Sequence, residues 1–185
     1  MTYRVAYDRA MTPDARNVLD EFKDMPHGDI VAILDARGVE LEIGIENLER
    51  DYNMGTIVRS ANAFGVRHVH IIGRKQWNKR GAMMTDKYLH VHYYDSSSDF
   101  VNYIHQNQKK LIAIENNVDS APLHSVTLPK SSILLFGSEG SGISANLLSF
   151  ADRIVHIEQL GSTRSLNVGV AAGIAMYDWL RRHEG

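Results

Sequence analysis

Residues 131–144 read SSILLFGSEGSGIS. The short apolar run from Ile133 to Phe136, closed by glycines, has the pattern of a strand buried on both faces. It stops in Gly137, Gly140 and Gly142, with Glu139 among them, and Ser144 stands where a following helix would need its cap. Glycine lets a backbone approach a ligand closely and adopt positive φ. The segment is therefore either a plain strand-to-helix turn or a ligand loop. It is not a Walker A loop, because no lysine follows the glycines. Nor is it a dinucleotide fingerprint, which belongs after the first strand of a βαβ unit, and a glutamate there disfavours pyrophosphate.

Outward from this strand, β-rich apolar runs recur at residues 41–48, 66–72, 89–94, 111–114 and 154–157. Helical patterns lie between most of them, at 54–64, 98–110, 144–150 and 165–182. Such alternation predicts an α/β fold, a largely parallel sheet flanked by helices on both faces. Residues 13–25 suggest an amphipathic leading helix, and residues 31–34 a further short strand. Residues 1–38 read as an N-terminal extension packed on the core, and 39–185 as one compact domain. In open parallel sheets ligands sit beyond the carboxyl ends of the strands. The informative loops are then 49–53, 73–87, 115–119, 137–142 and 158–164.

The 185 residues suffice for one domain with a real core, and 44% hydrophobic with 23% charged residues is an ordinary globular composition. No apolar run is long enough to span a bilayer, and the start, MTYRVAYDRAMTPD, lacks a signal-peptide core. The absence of cysteine excludes disulfides and thiolate metal sites and fits a reducing compartment, so a cytoplasmic location is expected. A formal charge of -2 does not advertise nucleic acid, and any RNA contact must gather positive charge locally or through an oligomer.

Three loops carry chemistry-bearing side chains. In NMGTIVRSANAFG, from Asn53, that asparagine is a candidate N-cap. Met54, Ile57, Val58, Ala61 and Phe64 form one apolar stripe, and Arg59 falls opposite it, as a solvated arginine or as a guanidinium held for an anion. In EQLGSTRSLNVGV, residues 158–170, Ser165 is a candidate cap and Asn167 lies within the first turn. The small residues that follow, Gly169 to Ala175, suit core packing, which does not explain so polar an approach to a helix. The loop GRKQWNKRGAMMTDKYLH, from Gly73, sets Arg74, Lys75, Lys79, Arg80 and Lys87 around Trp77 and Tyr88. That pattern fits a backbone-tracking RNA contact or a solvated basic loop. His68/His70 and His90/His92 pair imidazoles on strand faces, but no third ligand stands at a suitable spacing, and no metal is expected.

Taken in order, NMGTIVRSANAFG, LLFGSEGSGI and GSTRSLNVGVAAGIAMYDW resemble motifs 1, 2 and 3 of the SpoU/TrmH family. These are S-adenosylmethionine-dependent RNA ribose 2′-O-methyltransferases of the SPOUT (α/β-knot) superfamily. The likeness covers roughly residues 40–182. It implies a parallel sheet whose C-terminal segment forms a trefoil knot, and a homodimer with S-adenosylmethionine in the knot and RNA shared between subunits. Gly137, Ile157 and Leu166 would contact the cofactor, together with Glu139, Gly140, Leu160 and Asn167. Asn53, Arg59, Glu139, Ser165 and Asn167 match the family's functional polar positions, Arg59 being the residue assigned to activating the ribose hydroxyl. RNA contacts would come from Arg59, Arg74, Lys75, Lys79, Arg80 and Arg164. The family commonly has proline after the isoleucine of motif 3, whereas Glu158 and Gln159 follow Ile157 here. The chain has no separate RNA-binding domain of the kind many ribosomal RNA members carry, which favours tRNA over rRNA. The rival readings are an RNA-binding module that kept the fold without the chemistry, and a nucleotide-dependent oxidoreductase.

Overall fold

The computed structural model describes residues 14–47, 53–138, 140–163 and 165–185. In chain order the elements are α1 (His27–Ala36), β1 (Glu42–Asn47), α2 (Met54–Ala63), β2 (His68–Gly73), β3 (His90–Tyr94) and α3 (Ser97–Gln106). They continue with β4 (Lys110–Ile114), β5 (Ala121–Pro122), β6 (Ser132–Phe136), α4 (Ala145–Leu148), β7 (Arg153–His156) and α5 (Val168–His183). The strands form one sheet in the order β3-β2-β1-β6-β4-β7-β5, with every neighbouring pair parallel. This is the expected α/β architecture.

The pleat divides each inner strand between two cores. Ile43 and Ile45 of β1 join Met54, Ile57 and Val58 of α2 and Ala172, Met176 and Trp179 of α5 on one side. Ile133 and Leu135 of β6 join Phe100, Val101 and Ile104 of α3 and Leu147 of α4 on the other. Each such apolar side chain contributes on the order of 1.5–3 kcal/mol when fully buried. β1 and β6 are buried along their whole length, which explains why they read as continuous runs. The α5 C-terminus is tied down by Trp179 Nε1 donating to Pro129 O (3.2 Å) and Arg182 donating to Leu123 O (3.0 Å) and to Val126 O.

Register then sets the working end of the sheet. Ala113 pairs with Leu135, Ile45 with Phe136 and Ile114 with Val155. The next residues, Glu115, Gly137 and His156, therefore emerge side by side at the carboxyl ends of β4, β6 and β7.

Several local expectations are corrected. Within the described part of 13–25 there is a single 3-10 turn, Asp20–Phe22, and no leading helix. The Asp14 carboxylate gathers the Arg16 guanidinium and the Asp24 backbone N–H (2.9 Å), folding the segment back on itself. Residues 31–34 lie inside α1, because the helix starts behind Pro26 and seats Ile30 in the core. α3 ends at Gln106, four residues early. Gln108 takes φ 51° and Lys110 already pairs in β4. α4 is likewise short, ending at Leu148. The two-residue strand β5 carries a proline at the sheet edge, where no ladder donor is needed, and its sequence shows no strand pattern.

Candidate functional site

Beyond β4, β6 and β7 lies a cavity of about 510 Å³, within the range of small-molecule sites. Its walls come from residues 114–116, 136–138, 140–142, 156, 157, 159, 165–168 and 171. The β6 loop folds back through paired backbone bonds between Ser138 and Gly142 (3.2 and 3.0 Å). At Gly137 a Cβ would stand 2.1 Å from the Gly142 carbonyl carbon, and Gly142 itself takes φ +68°. Only residues without a side chain close this turn. Two carboxylates brace it from neighbouring strands. Glu115 Oε2 accepts from Ile143 N (2.8 Å) and the buried Glu46 Oε2 from Ser144 N (2.7 Å). Ser144 caps α4, as expected, by accepting from Leu147 N (3.3 Å).

The third wall is the approach to α5. Asn167, not Ser165, caps that helix, its side chain accepting from Val170 N (3.2 Å). The helix begins at Val168 because Asn167 has extended backbone angles, φ -55° and ψ 132°. Asn53 precedes α2 but has helical angles itself and makes no side-chain cap. Its Oδ1 accepts instead from Asn167 Nδ2 (2.9 Å), joining the starts of α2 and α5. Thr56 extends this junction, its Cγ2 3.1 Å from where a Cβ at Gly169 would stand. Arg59, one turn further along, is exposed, opposite the buried Met54–Ile57–Val58–Ala61 stripe.

The structure thus brings Gly137, Gly140, Ile157, Ser165, Leu166 and Asn167 to one cavity. Leu160 has a fully exposed side chain and is not among the residues lining the cavity. Glu139 and Arg164 lie outside the described residues. Ile114, Glu115, Phe136, His156 and Ala171 also line the cavity and are not singled out from the sequence. Loop 115–119 had the signal of position, but nothing in its letters marks Glu115 above its neighbours. Gln159 lines the cavity with a buried Oε1 that has no partner among the described residues.

The basic loop sits beyond β2. Buried Asn47 at the end of β1 holds it, donating through Nδ2 to the carbonyls of Arg74 and Gln76. Arg74, Lys75, Lys79 and Arg80 are all exposed. Lys75 pairs with Asp95 (3.1 Å) and Lys79 with Asp86 (2.8 Å), and the Asp86 hydrogen bond raises the Lys79 pKa. Lys79 also lies 5.4 Å over the Trp77 ring. Among the described residues Arg74 and Arg80 make no ion pair, which leaves both guanidinium groups to a partner.

The histidine pairs fall on one face of β2 and β3, His68 opposite His90 and His70 opposite His92. Each ring has at least one nitrogen engaged by a protein group. His70 lies 2.7 Å from Glu42 Oε2 and 3.0 Å from the Tyr94 hydroxyl, and His68 Nδ1 lies 2.9 Å from His92 Nε2. Tyr103 donates to Glu42 (3.0 Å) and Lys109 pairs with it (2.8 Å), while His90 bonds Asp35 (2.9 Å). Burial pushes His92 down to about 4, with help from the neighbouring imidazoles, and lowers His68 too. Burial opposes ionisation of Glu42, but the His70 and Lys109 hydrogen bonds outweigh it and hold that carboxyl at about 2.

The SpoU rRNA Methylase family profile matches residues 40–177. A tRNA (guanosine(18)-2′-O)-methyltransferase of Borreliella burgdorferi is 27% identical over 169 residues, spanning 89% of this chain and 78% of its own length. Among solved structures, the A. aeolicus TrmH/SpoU tRNA modifying enzyme superposes with TM-score 0.75 at 25% identity, covering 85% of this chain and 82% of that one. An AdoMet-bound rRNA methyltransferase from Sinorhizobium meliloti shares the fold, with TM-score 0.70 at 22% identity over 77% of this chain and 56% of that one.

Proposed function

The chain belongs to the SpoU rRNA Methylase family, and from that premise we propose that it methylates a ribose 2′-hydroxyl of RNA, tRNA before rRNA, using S-adenosyl-L-methionine. One observation carries the reading. The β6 loop and the approach to α5 converge on a nucleoside-sized cavity, and the Asn53–Asn167 bond ties that cavity to the helix bearing Arg59. The donor set fits the cofactor. Apolar Ile114, Phe136, Ile157 and Leu166 suit a purine ring, while backbone groups of the glycine turn and the side chain of Ser165 offer hydrogen bonds.

When bound, the cofactor supplies a methyl group on a positively charged sulfur. The chain's own residues must do the rest. The Gly137–Gly142 turn and Leu166 hold the nucleoside, with Glu46 and Glu115 keeping the turn in shape. Asn167 fixes the start of α5 and, through Asn53, the position of α2. In-line transfer depends on this alignment, which can supply a large part of the acceleration. A guanidinium offers donors and no acceptor, so Arg59 is no base by itself. It holds a substrate phosphate that accepts the hydroxyl proton, and it stabilises the alkoxide so formed. Glu139 and Ser165 orient these groups. Arg74, Lys75, Lys79, Arg80 and Arg164 track the RNA backbone, and Trp77 presents an aromatic face beside them.

The working form in this reading is a cytoplasmic homodimer with a C-terminal trefoil knot, built as an extension of residues 1–38 on a domain of 39–185. Exposed Val170, Ile174 and Tyr177 along α5 support a second copy of the chain as its cover. The test is incubation with labelled S-adenosylmethionine and total RNA, followed by mapping of the modified ribose. Label in a tRNA ribose is the expected result. Label in a base, or none in RNA from a strain lacking the protein, overturns the reading.

A further inference from the structure

We propose that the Glu115 carboxylate makes the cofactor cavity select a cationic ligand over its neutral counterpart, so that methyl transfer itself weakens the hold on the product. The inference rests on the cofactor reading above.

Glu115 is a built feature of the wall. Its N–H donates to Val155 O (3.0 Å), fixing the backbone between β4 and β7. Its Oε2 takes the Ile143 N–H, and the carboxylate is packed so closely under the β6 turn that a Cβ at Gly142 would lie 2.6 Å from that oxygen. Oε1 makes no hydrogen bond among the described residues, so half of the acceptor capacity of the group remains at the cavity. Among the described residues that line the cavity there is no lysine or arginine, and Glu115 is the one carboxylate. His156 is the other titratable side chain there, and its Nδ1 is engaged by Ser120 (2.9 Å).

A fixed negative charge in a partly enclosed wall acts at a distance, because Coulomb energies fall slowly and are weakly screened away from bulk water. S-adenosylmethionine carries one more positive charge than S-adenosylhomocysteine and is otherwise nearly the same size. A group that merely accepted a hydroxyl or shaped the turn would serve both ligands alike. A charge does not: it favours the sulfonium form and loses its grip when that charge is gone.

Isothermal titration of wild type, Glu115→Gln and Glu115→Ala tests this with S-adenosylmethionine, S-adenosylhomocysteine and sinefungin, whose amine replaces the sulfonium. Glutamine keeps an acceptor for Ile143 N–H and removes the charge. The expected result is a shift of about tenfold in the Kd ratio of S-adenosylmethionine to S-adenosylhomocysteine, towards the product, with sinefungin following the former. Inhibition by S-adenosylhomocysteine strengthens in step. An unchanged ratio in Glu115→Gln overturns the inference, whether both affinities stay intact or both fall together. If Glu115→Ala loses its fold by thermal melting, Glu115→Gln still decides. Wild-type protein that binds none of the three ligands sinks the cofactor reading, and this inference with it. Wild-type binding with an insensitive ratio sinks this inference alone.

Discussion

At the carboxyl ends of β4, β6 and β7, polar groups surround open space, whereas on the β1–β3 face the same kinds of groups close on one another. Glu115 and Gln159 line a cavity with acceptor capacity to spare. Glu42, by contrast, is shared by His70, Tyr103 and Lys109, and the four imidazoles stack in a ladder with centroids 5.0–5.2 Å apart. Burial alone therefore does not mark function. What separates the regions is whether the buried groups have used up their partners, since an unsatisfied group is costly unless a ligand completes it.

The largest effect expected from this contrast is at Arg59. Arg59→Ala should lower methylation by about 10³-fold, the scale of a lost transition-state donor, with cofactor affinity within about twofold of wild type. The side chain is exposed, so the fold should be indifferent. Normal turnover in the variant would remove Arg59 from the chemistry.

Next comes Gly137→Ala. Its methyl group would stand 2.1 Å from Gly142 C, so the turn must open. Cofactor affinity should fall at least about a hundredfold by calorimetry, because the loop is specified at sub-ångström level. The histidine face, on other strands, should keep its wild-type pH response. An unchanged affinity in a folded variant would show that the turn is structural.

Asn167→Ala should be milder and mixed. The lost cap costs about 1 kcal/mol, or about 2–4 °C in Tm for a chain of this size. Loss of the bond to Asn53 should loosen the junction of α2 and α5 and lower cofactor affinity about tenfold. Calorimetry showing intact affinity alongside the lower Tm would reduce Asn167 to a helix cap.

How much of this is legible in sequence follows the range of the interactions. Strands such as Ile133–Phe136 show because each residue in the run is buried, and α2 shows because its stripe has helical period. The run Val31–Leu34 has the same letters as a strand and is helical, since a four-residue apolar stretch carries no period of its own. Gly137 and Gly140 are visible because a glycine turn is a local device, whereas Leu166 and Asn167 come from the motif likeness, and the sequence puts the cap at Ser165, two residues before the Asn167 that forms it. Leu160 comes from motif position alone, which does not say which way a loop side chain points. Glu46, Asn47 and Glu115 are silent for a different reason. Glu46 meets Ser144, 98 positions away, and Glu115 meets Ile143, 28 away, through the registers of parallel neighbours that no local pattern encodes.

The smallest effect belongs to the histidine face and sharpens the comparison from the other side. His92 titrates at about 4 in the fold against an ordinary value of 6.5, because burial and the three neighbouring imidazoles oppose its charge. Between those values the unfolded chain binds the extra proton, so stability falls as pH drops from about 6.5 to about 4 and is flat above. His68 acts in the same direction. Glu42 extends the loss lower, from its ordinary 4.5 to about 2, as protonation of its carboxylate gives up His70 and Lys109. Half-burial screens the His92 contribution to roughly 1–2 kcal/mol. Urea unfolding of wild type and His92→Gln across pH 7 to 4 measures it, and the variant should give the flatter curve by that amount. Parallel curves would mean that the ladder tolerates protonation at His92, and that its closure is less complete than the bonding pattern requires.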